Sequence, residues 1–136
     1  MSLRRWMAVW AICAAAPAAP LMAHHSAAAY YDIKKTVTIT GTASRVLWRN
    51  PHVFFFVDVK DSAGRVSTWS LESQSPDALV RLGLHKDDVK AGDRVTVDVM
   101  PAIVSPNRGR VRVLRFRGRS IVDFGPADSP AIAPGP

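Results

Sequence analysis

The chain has 136 residues, one cysteine, ten prolines and a formal net charge of +7 when histidine is neutral. One cysteine excludes an intramolecular disulfide, and the length favours a single domain that is stabilised by its own hydrophobic core. Residues 108–119 contain six arginines, so an anionic partner is expected to bind there.

Residues 1–23 have the features of a cleavable signal peptide. Arg4 and Arg5 precede an apolar run from Trp6 to Ala16, and the small residue Ala23 ends the segment. The run is much shorter than the roughly 20 residues that a membrane-spanning helix needs. We therefore predict cleavage after Ala23, a periplasmic or secreted protein, and no transmembrane segment after cleavage. A retained membrane helix is the alternative.

The predicted mature chain has three parts and no thiol, because Cys13 lies in the leader. Residues 24–34 form an N-terminal segment, and residues 35–124 form the folded domain. Residues 125–136 are small and proline-rich, which is typical of a disordered tail. Removal of the leader leaves a net charge of +5.

The domain begins with alternating apolar and polar residues, the pattern of half-buried strands. A first strand runs from Lys35 to Trp48, and its apolar positions change parity after Gly41, which predicts a bulge or sharp bend. The second and third strands span residues 52–60 and 65–72. The residues expected inside from these two strands are Val53, Phe55, Val57, Val59, Trp69 and Leu71.

A short helix and two further strands follow. Ser75 is a suitable N-cap, Pro76 suits the first helical position, and Gly83 ends the apolar spacing. Alternating valines at 95, 97 and 99 predict a fourth strand, and residues 110–122 a final one. This order predicts an all-β fold with one short helix, namely a small five-stranded, partly open barrel of the OB type. A small open sandwich is the alternative.

Several short motifs resemble a known family. They are Ala23-His24-His25-Ser26, Trp48-Arg49-Asn50-Pro51-His52, Trp69-Ser70-Leu71-Glu72 and Gly92-Asp93-Arg94-Val95. Together they resemble the exported bacterial family known as domain of unknown function 6152, over about residues 23–104. The resemblance implies an exported OB-like module as a whole protein, and no activity, because the family is itself uncharacterised.

Three histidines form a candidate metal site. Cleavage after Ala23 would give His24 a free α-amine beside its imidazole, a pair that can chelate one ion. His52, after the Asn50-Pro51 turn, could add an imidazole, with His25 as a competitor. Nitrogen ligands of this kind suit Cu(II), so copper or a similar ion is the expected cofactor. A flexible tail, with a structural hydrogen bond for His52, is the alternative.

A second candidate is an interaction surface. Phe54 and Phe56 form an aromatic strip on the outer face of the second strand. The arginines of the last strand that could join it are Arg110, Arg112, Arg115 and Arg117. Such a surface suits a polyanion, a cell-envelope component or a partner protein, and export makes nucleic acid an unexpected ligand. The structural alternatives are that a terminal segment such as Tyr30-Tyr31 or a homodimer partner covers the strip, and that the arginines lie on a solvated edge strand.

Catalytic motifs are not found in the sequence. It contains neither G-x-S-x-G nor H-E-x-x-H, and no cysteine follows the leader. Most aspartates lie in expected turns, where they have structural roles. We therefore expect a binding protein and not an enzyme.

Overall fold

A computed structural model of the protein describes residues 27–124; the predicted leader, His24, His25 and the predicted tail lie outside this part. A 3-10 turn at Ala27–Ala29 precedes a sheet of six strands and one α-helix. The elements are β1 (Val37–Leu47), β2 (Phe54–Lys60), β3 (Val66–Glu72), α1 (Pro76–Arg81), β4 (Arg94–Pro101), β5 (Arg108–Phe116) and β6 (Arg119–Val122).

Five of these strands close into a barrel. The sheet order is β3-β2-β1-β4-β5-β6, and β3 also pairs with β5. The β3–β5 pairing is parallel and involves Ser70–Glu72 of β3 and Arg108–Arg110 of β5, whereas the other pairings are antiparallel. The predicted five-stranded, OB-like barrel with one short helix after the third strand is confirmed. β6 is an additional strand beside β5.

The prediction of one final strand over residues 110–122 is wrong, because the chain turns within it. Arg117 and Gly118 both have positive φ angles, 47° and 74°, as in the two central residues of a type I′ hairpin turn. β5 and β6 therefore pair as a hairpin, with Phe116 opposite Arg119.

The bend predicted in the first strand is present in β1. The register between β1 and β2 shifts between Ala43 and Arg45, as expected for a bulge. Gly41 lies just before it, where a Cβ atom would be only 2.3 Å from the carbonyl oxygen of Asp58. β1 can therefore bend across the barrel and pair with both β2 and β4.

The barrel interior contains the alternate residues of the strands. In and beside β2, Val53, Phe55 and Val57 are buried, as predicted, while Val59 is only partly buried. In β3, Leu71 is buried and Trp69 packs partly buried against the core. β4 and β5 contribute further buried side chains, Val95, Val97, Val99, Val111, Leu114 and Phe116.

The helix α1 begins as predicted. Ser75 is the N-cap and accepts a hydrogen bond from the Ala78 amide at 3.3 Å, and Pro76 follows it. Leu79 is the buried residue of the helix. α1 has only six residues, and no helix within residues 27–124 has the length and apolar character needed to cross a membrane.

The N-terminal segment lies against the loop between β4 and β5. Tyr31 forms an isolated antiparallel bridge with Ala102. The amide of Asp32 donates to Pro101 at 2.9 Å, and the amide of Ile103 donates to the Tyr30 carbonyl at 3.0 Å. These bonds place the segment beside the β3–β5 pairing, where it forms one wall of a cleft.

Candidate functional site

A cleft of about 500 Å³ lies over the end of the β3–β5 pairing. The N-terminal segment contributes Ala27, Tyr30 and Tyr31 to its lining, and the barrel contributes His52, Glu72 and Arg110. A cavity of this size can hold a small ligand, and a few polar groups that converge in it can select that ligand. The cleft is therefore the best candidate site in the part of the chain that the structure describes.

Glu72 is the centre of the polar groups in the cleft. Its Oε2 accepts a hydrogen bond from the Tyr31 hydroxyl at 2.5 Å. Its Oε1 lies 2.5 Å from Nδ1 of His52 and accepts from the Arg110 guanidinium at 3.2 Å. Glu72 and Arg110 are also partners in the parallel pairing of β3 and β5. The closure of the barrel thus brings these side chains together.

The Tyr31 hydroxyl donates a hydrogen bond to the Glu72 carboxylate. Burial is the main reason that the pKa of Tyr31 is raised above its usual range, and the hydrogen bond and negative charge of Glu72 raise it further. The charges of Arg110 and then Arg108 act in the opposite direction. Because the net shift is upward, Tyr31 remains a phenol at physiological pH and keeps its hydrogen bond to the carboxylate.

His52 lies in the loop before β2, after a turn that contains a cis Asn50–Pro51 peptide bond. The sequence predicted that the strand would begin at His52, but β2 begins at Phe54. The backbone of Val53 exchanges hydrogen bonds with Gln74 and Ser73 at 2.9 and 2.8 Å, which holds His52 beside the end of β3. Its side chain is 41% exposed, so it can reach both Glu72 and a ligand.

A histidine that donates through Nδ1 to a carboxylate can use Nε2 as a metal ligand, with its ring orientation fixed. His52 is the predicted metal residue that the structure describes, and it has this partner in Glu72. Between residues 27 and 124 there is no group of three histidine, cysteine, aspartate or glutamate side chains suited to one metal ion. Further ligands would have to come from other residue types or from outside this range, where His24 and His25 lie.

A buried carboxylate lies on the other side of Arg110. Asp123 is 5% exposed and accepts a hydrogen bond from the Ser73 hydroxyl at 2.9 Å. Burial raises its pKa to about 6, against the opposing effects of the Ser73 hydrogen bond, the Arg110 charge and hydrogen bonds from Gln74. The guanidinium of Arg110 also lies 5.4 Å from the centre of the Phe124 ring. Arg110 is therefore held between Glu72 and the end of β6.

The predicted arginine surface is largely engaged with the rest of the chain. Three of its four residues pair with carboxylates and the fourth with a backbone oxygen. The contacts are Arg110 with Glu72 at 3.2 Å, Arg115 with Asp98 at 2.6 Å, Arg117 with Asp93 at 2.7 Å, and Arg112 with the carbonyl of Ile33. The side-chain hydrogen bonds from Arg115 and Arg117 are the largest cause of the lowered pKa values of Asp98 and Asp93.

The aromatic strip does not join the cleft. Phe54 and Phe56 point away from the barrel core and are half-buried. The guanidinium of Arg45, across the β1–β2 pairing, lies 4.1 Å from the centre of the Phe56 ring, a distance typical of a cation–π contact. The strip is thus partly covered by the chain itself.

Sequence reasoning missed the roles of Tyr31, Glu72 and Asp123. Tyr31 and Glu72 are 41 residues apart, and no local spacing connects them. The sequence contained one signal for Glu72. It is the only glutamate in the sequence, and it ends β3, the strand that closes the barrel by pairing with β5. Asp123 directly follows an apolar strand, and nothing in its sequence position distinguishes it from an exposed polar residue at the end of a strand.

A family model matches the chain. A search of curated proteins found no match. The model of a family described as a family of unknown function (DUF6152) matches residues 11–110, which include His52, Glu72 and Arg110 of the cleft. This match covers most of the chain and agrees with the resemblance in the sequence motifs. The chain therefore belongs to the family of unknown function DUF6152.

Proposed function

We propose that the protein is an exported, periplasmic module that binds copper or a similar metal ion through His52 and the histidines of its mature N-terminus, His24 and His25. The observation that carries the proposal is the His52–Glu72 pair. It lies in a cleft that Ala27 also lines. The proposed role is binding and not catalysis.

The first support is the orientation of the His52 ring, which suits metal binding. With Nδ1 held by Glu72 at 2.5 Å, the ring presents Nε2 as the nitrogen for a metal. Arg110 and Tyr31 also bond to Glu72, which fixes the carboxylate that orients the ring. Outer partners of this kind typically change metal affinity by about 10- to 100-fold.

The second support is distance along the chain. His25 precedes Ala27 by two residues, and two extended residues span at most about 7 Å. His24, one residue further, has a reach of about 10 Å. Because Ala27 and His52 line the same cleft, these short reaches support a ligand set that combines the N-terminal histidines with His52.

The third support is ligand chemistry. A terminal amine, the imidazole of His24 and the imidazole of His52 would supply three nitrogens, a set that favours Cu(II) over other common divalent ions. A free α-amine has a pKa of about 7.7–8.0, so protons compete with the metal at neutral pH. The affinity should therefore fall on acidification.

The test measures Cu(II) affinity on protein that has been exported with its own leader and shown by intact mass to begin at His24. Replacement of His52 by alanine should weaken binding by about tenfold or more, since it removes a ligand. His85 lies in the exposed turn after α1, so His85→Ala is the matched control and should leave the affinity unchanged. Equal affinities of the His52→Ala and His85→Ala variants would refute the proposal.

A second variant isolates the α-amine. A chain with one additional alanine before His24 keeps all the side chains but moves the amine away from that imidazole. The affinity for Cu(II) should fall by about tenfold or more relative to the chain that begins at His24. An unchanged affinity would remove the terminal chelate from the mechanism.

A further inference from the structure

We propose that the cleft also binds a small amphipathic organic carboxylate, whose carboxylate pairs with Arg108 and whose apolar body packs against Tyr30 and Val104. This site requires no metal, so it goes beyond the proposed function. The inference depends on an uncompensated charge, on the three contacts that already engage Glu72 and on the apolar walls of the cleft.

Arg108 is the cation of the cleft that has no carboxylate partner within residues 27–124. It is exposed at the start of β5 and lines the cleft. Its neighbour Arg110 instead pairs with Glu72 at 3.2 Å. The cleft therefore carries one excess positive charge when His52 is neutral. Arg108 lines the same cleft as Tyr31 and Glu72.

The contacts of Glu72 make this carboxylate a poor partner for an organic ammonium group. Oε1 of Glu72 already contacts His52 and Arg110, and Oε2 already accepts from Tyr31. A bound ammonium group would find its only carboxylate in the cleft engaged by three donors. A carboxylate ligand, in contrast, finds in Arg108 a planar donor that suits two parallel hydrogen bonds.

The other residues that line the cleft favour a ligand whose body, beside the carboxylate, is apolar. The cleft is also lined by Ala27, Ala102 and the rings of Tyr30 and Tyr31. Tyr30 is 57% exposed and Val104 is 89% exposed, so both present apolar surface at the cleft. Inorganic phosphate would leave these surfaces uncovered. A ligand with a ring or short chain beside its carboxylate would cover them.

The experiment uses sodium 1-naphthoate as the probe, with the exported protein in EDTA so that no metal contributes. Binding is followed by the backbone amide signals of the ¹⁵N-labelled protein. The amides of Ala27, Tyr31 and Ala102 should shift, and the neutral analogue 1-naphthalenemethanol should bind about tenfold more weakly, because it lacks the charge. Sodium acetate, without the apolar body, should also bind about tenfold more weakly.

Two variants connect the binding to the named residues. Arg108→Gln should weaken naphthoate binding by about tenfold or more, whereas Arg81→Gln, an exposed change on α1, should not alter it. Val104→Ser should weaken naphthoate but not acetate. Unchanged affinity in Arg108→Gln, equal binding of the neutral analogue, or shifts confined to residues outside the cleft would each overturn the inference. Because all these samples are free of metal, such a failure would leave the copper proposal standing.

Discussion

The side chain of Asp123 is buried in an environment that disfavours the ionised carboxylate. One carboxylate oxygen accepts from Ser73 at 2.9 Å, and the other, Oδ1, is buried with no hydrogen-bond partner in the described part of the chain. Loss of water around an ionised carboxylate favours the protonated form, which agrees with the direction of its pKa, raised to about 6. Near neutral pH this residue therefore reduces the stability of the fold.

The Asp123→Asn variant tests this effect through pH. Because the folded-state pKa of Asp123 is raised to about 6, its contribution to stability is complete below about pH 4 and is lost as the pH rises through 6. Asparagine keeps an acceptor for Ser73 and has no such loss. The stability of the variant relative to the wild-type protein should therefore rise by up to about 3 kcal/mol between pH 4 and pH 7.5.

The measurement is urea unfolding of both proteins at several pH values. Other carboxylates respond in the opposite direction, since hydrogen bonds lower the pKa values of Asp61, Asp88, Asp93 and Asp98. These groups are the same in both proteins and cancel in the difference. A stability difference that does not change with pH would contradict the assignment.

At the scale of the elements, β1 depends on the absence of a side chain at Gly41. A Cβ atom there would lie 2.3 Å from the Asp58 carbonyl oxygen and 2.9 Å from Cγ1 of Val57. The nearest obstacle is backbone in the middle of β2, so it cannot move aside without disturbing the β1–β2 pairing. Glycine is required at this position because β1 and β2 approach each other closely. Its backbone conformation is not the reason, since its φ angle is not positive.

Gly41→Ala should therefore destabilise the protein by at least about 2 kcal/mol, a typical result of forcing an extra group into a packed interior. The next residue, Thr42, is exposed on the same strand, so Thr42→Ala is the matched control and should change stability by less than about 1 kcal/mol. Chemical unfolding of the three proteins at one pH gives both values. A loss in Gly41→Ala no greater than in the control would show that β1 and β2 are less tightly packed.

The elements also show what the sequence could and could not predict. The alternation in β2 correctly identified Val53, Phe55 and Val57 as core residues, because a strand with one buried face has a strict period of two. The same rule failed at the last strand. The alternation of residue types in β5 continues through Arg117 and Gly118 into β6. The turn between the two strands is recognised only from the positive φ angles of these two residues. An Arg-Gly pair between two short apolar runs was the available signal.

The candidate site was less predictable than the fold for a physical reason. His52 was identified from its side-chain type, but its partner Glu72 lies 20 positions later and Tyr31 lies 41 positions before that partner. Contacts of this kind exist only after the barrel closes, and no local periodicity encodes them. The ion pairs of Arg115 and Arg117 were missed for the same reason, although both arginines were recognised as surface residues.

At the scale of the whole molecule, the barrel encloses one core. The buried residues of β1, β2, β3, β4 and β5 form one cluster, against which Trp48 and Trp69 pack. The β3–β5 pairing that closes the barrel contains only three residue pairs. Because its strands share this core, however, it is not expected to open as a separate unit.

A chain that begins at His24, without the predicted leader, should therefore unfold in a single cooperative transition. Trp48 and Trp69 are its only tryptophans, since Trp6 and Trp10 lie in the predicted leader. Tryptophan fluorescence and far-UV circular dichroism should thus give coincident curves in urea, with the same midpoint and slope. An earlier fluorescence transition would mean that the β3 side of the barrel separates before the remainder.

The closing pair of the barrel, Glu72 opposite Arg110, has a practical consequence for the discovery of ligands. Residues 31, 52, 72 and 110 come together only in the native state, so an organic ligand of the cleft has no comparable site on the unfolded chain, whereas the proposed His24 chelate would also hold a metal ion there. Such a ligand must shift the melting temperature upward, by an amount equivalent to about 2.7 kcal/mol at a concentration one hundred times its dissociation constant. A thermal-shift screen of organic acids can therefore identify cognate compounds without any assay of activity.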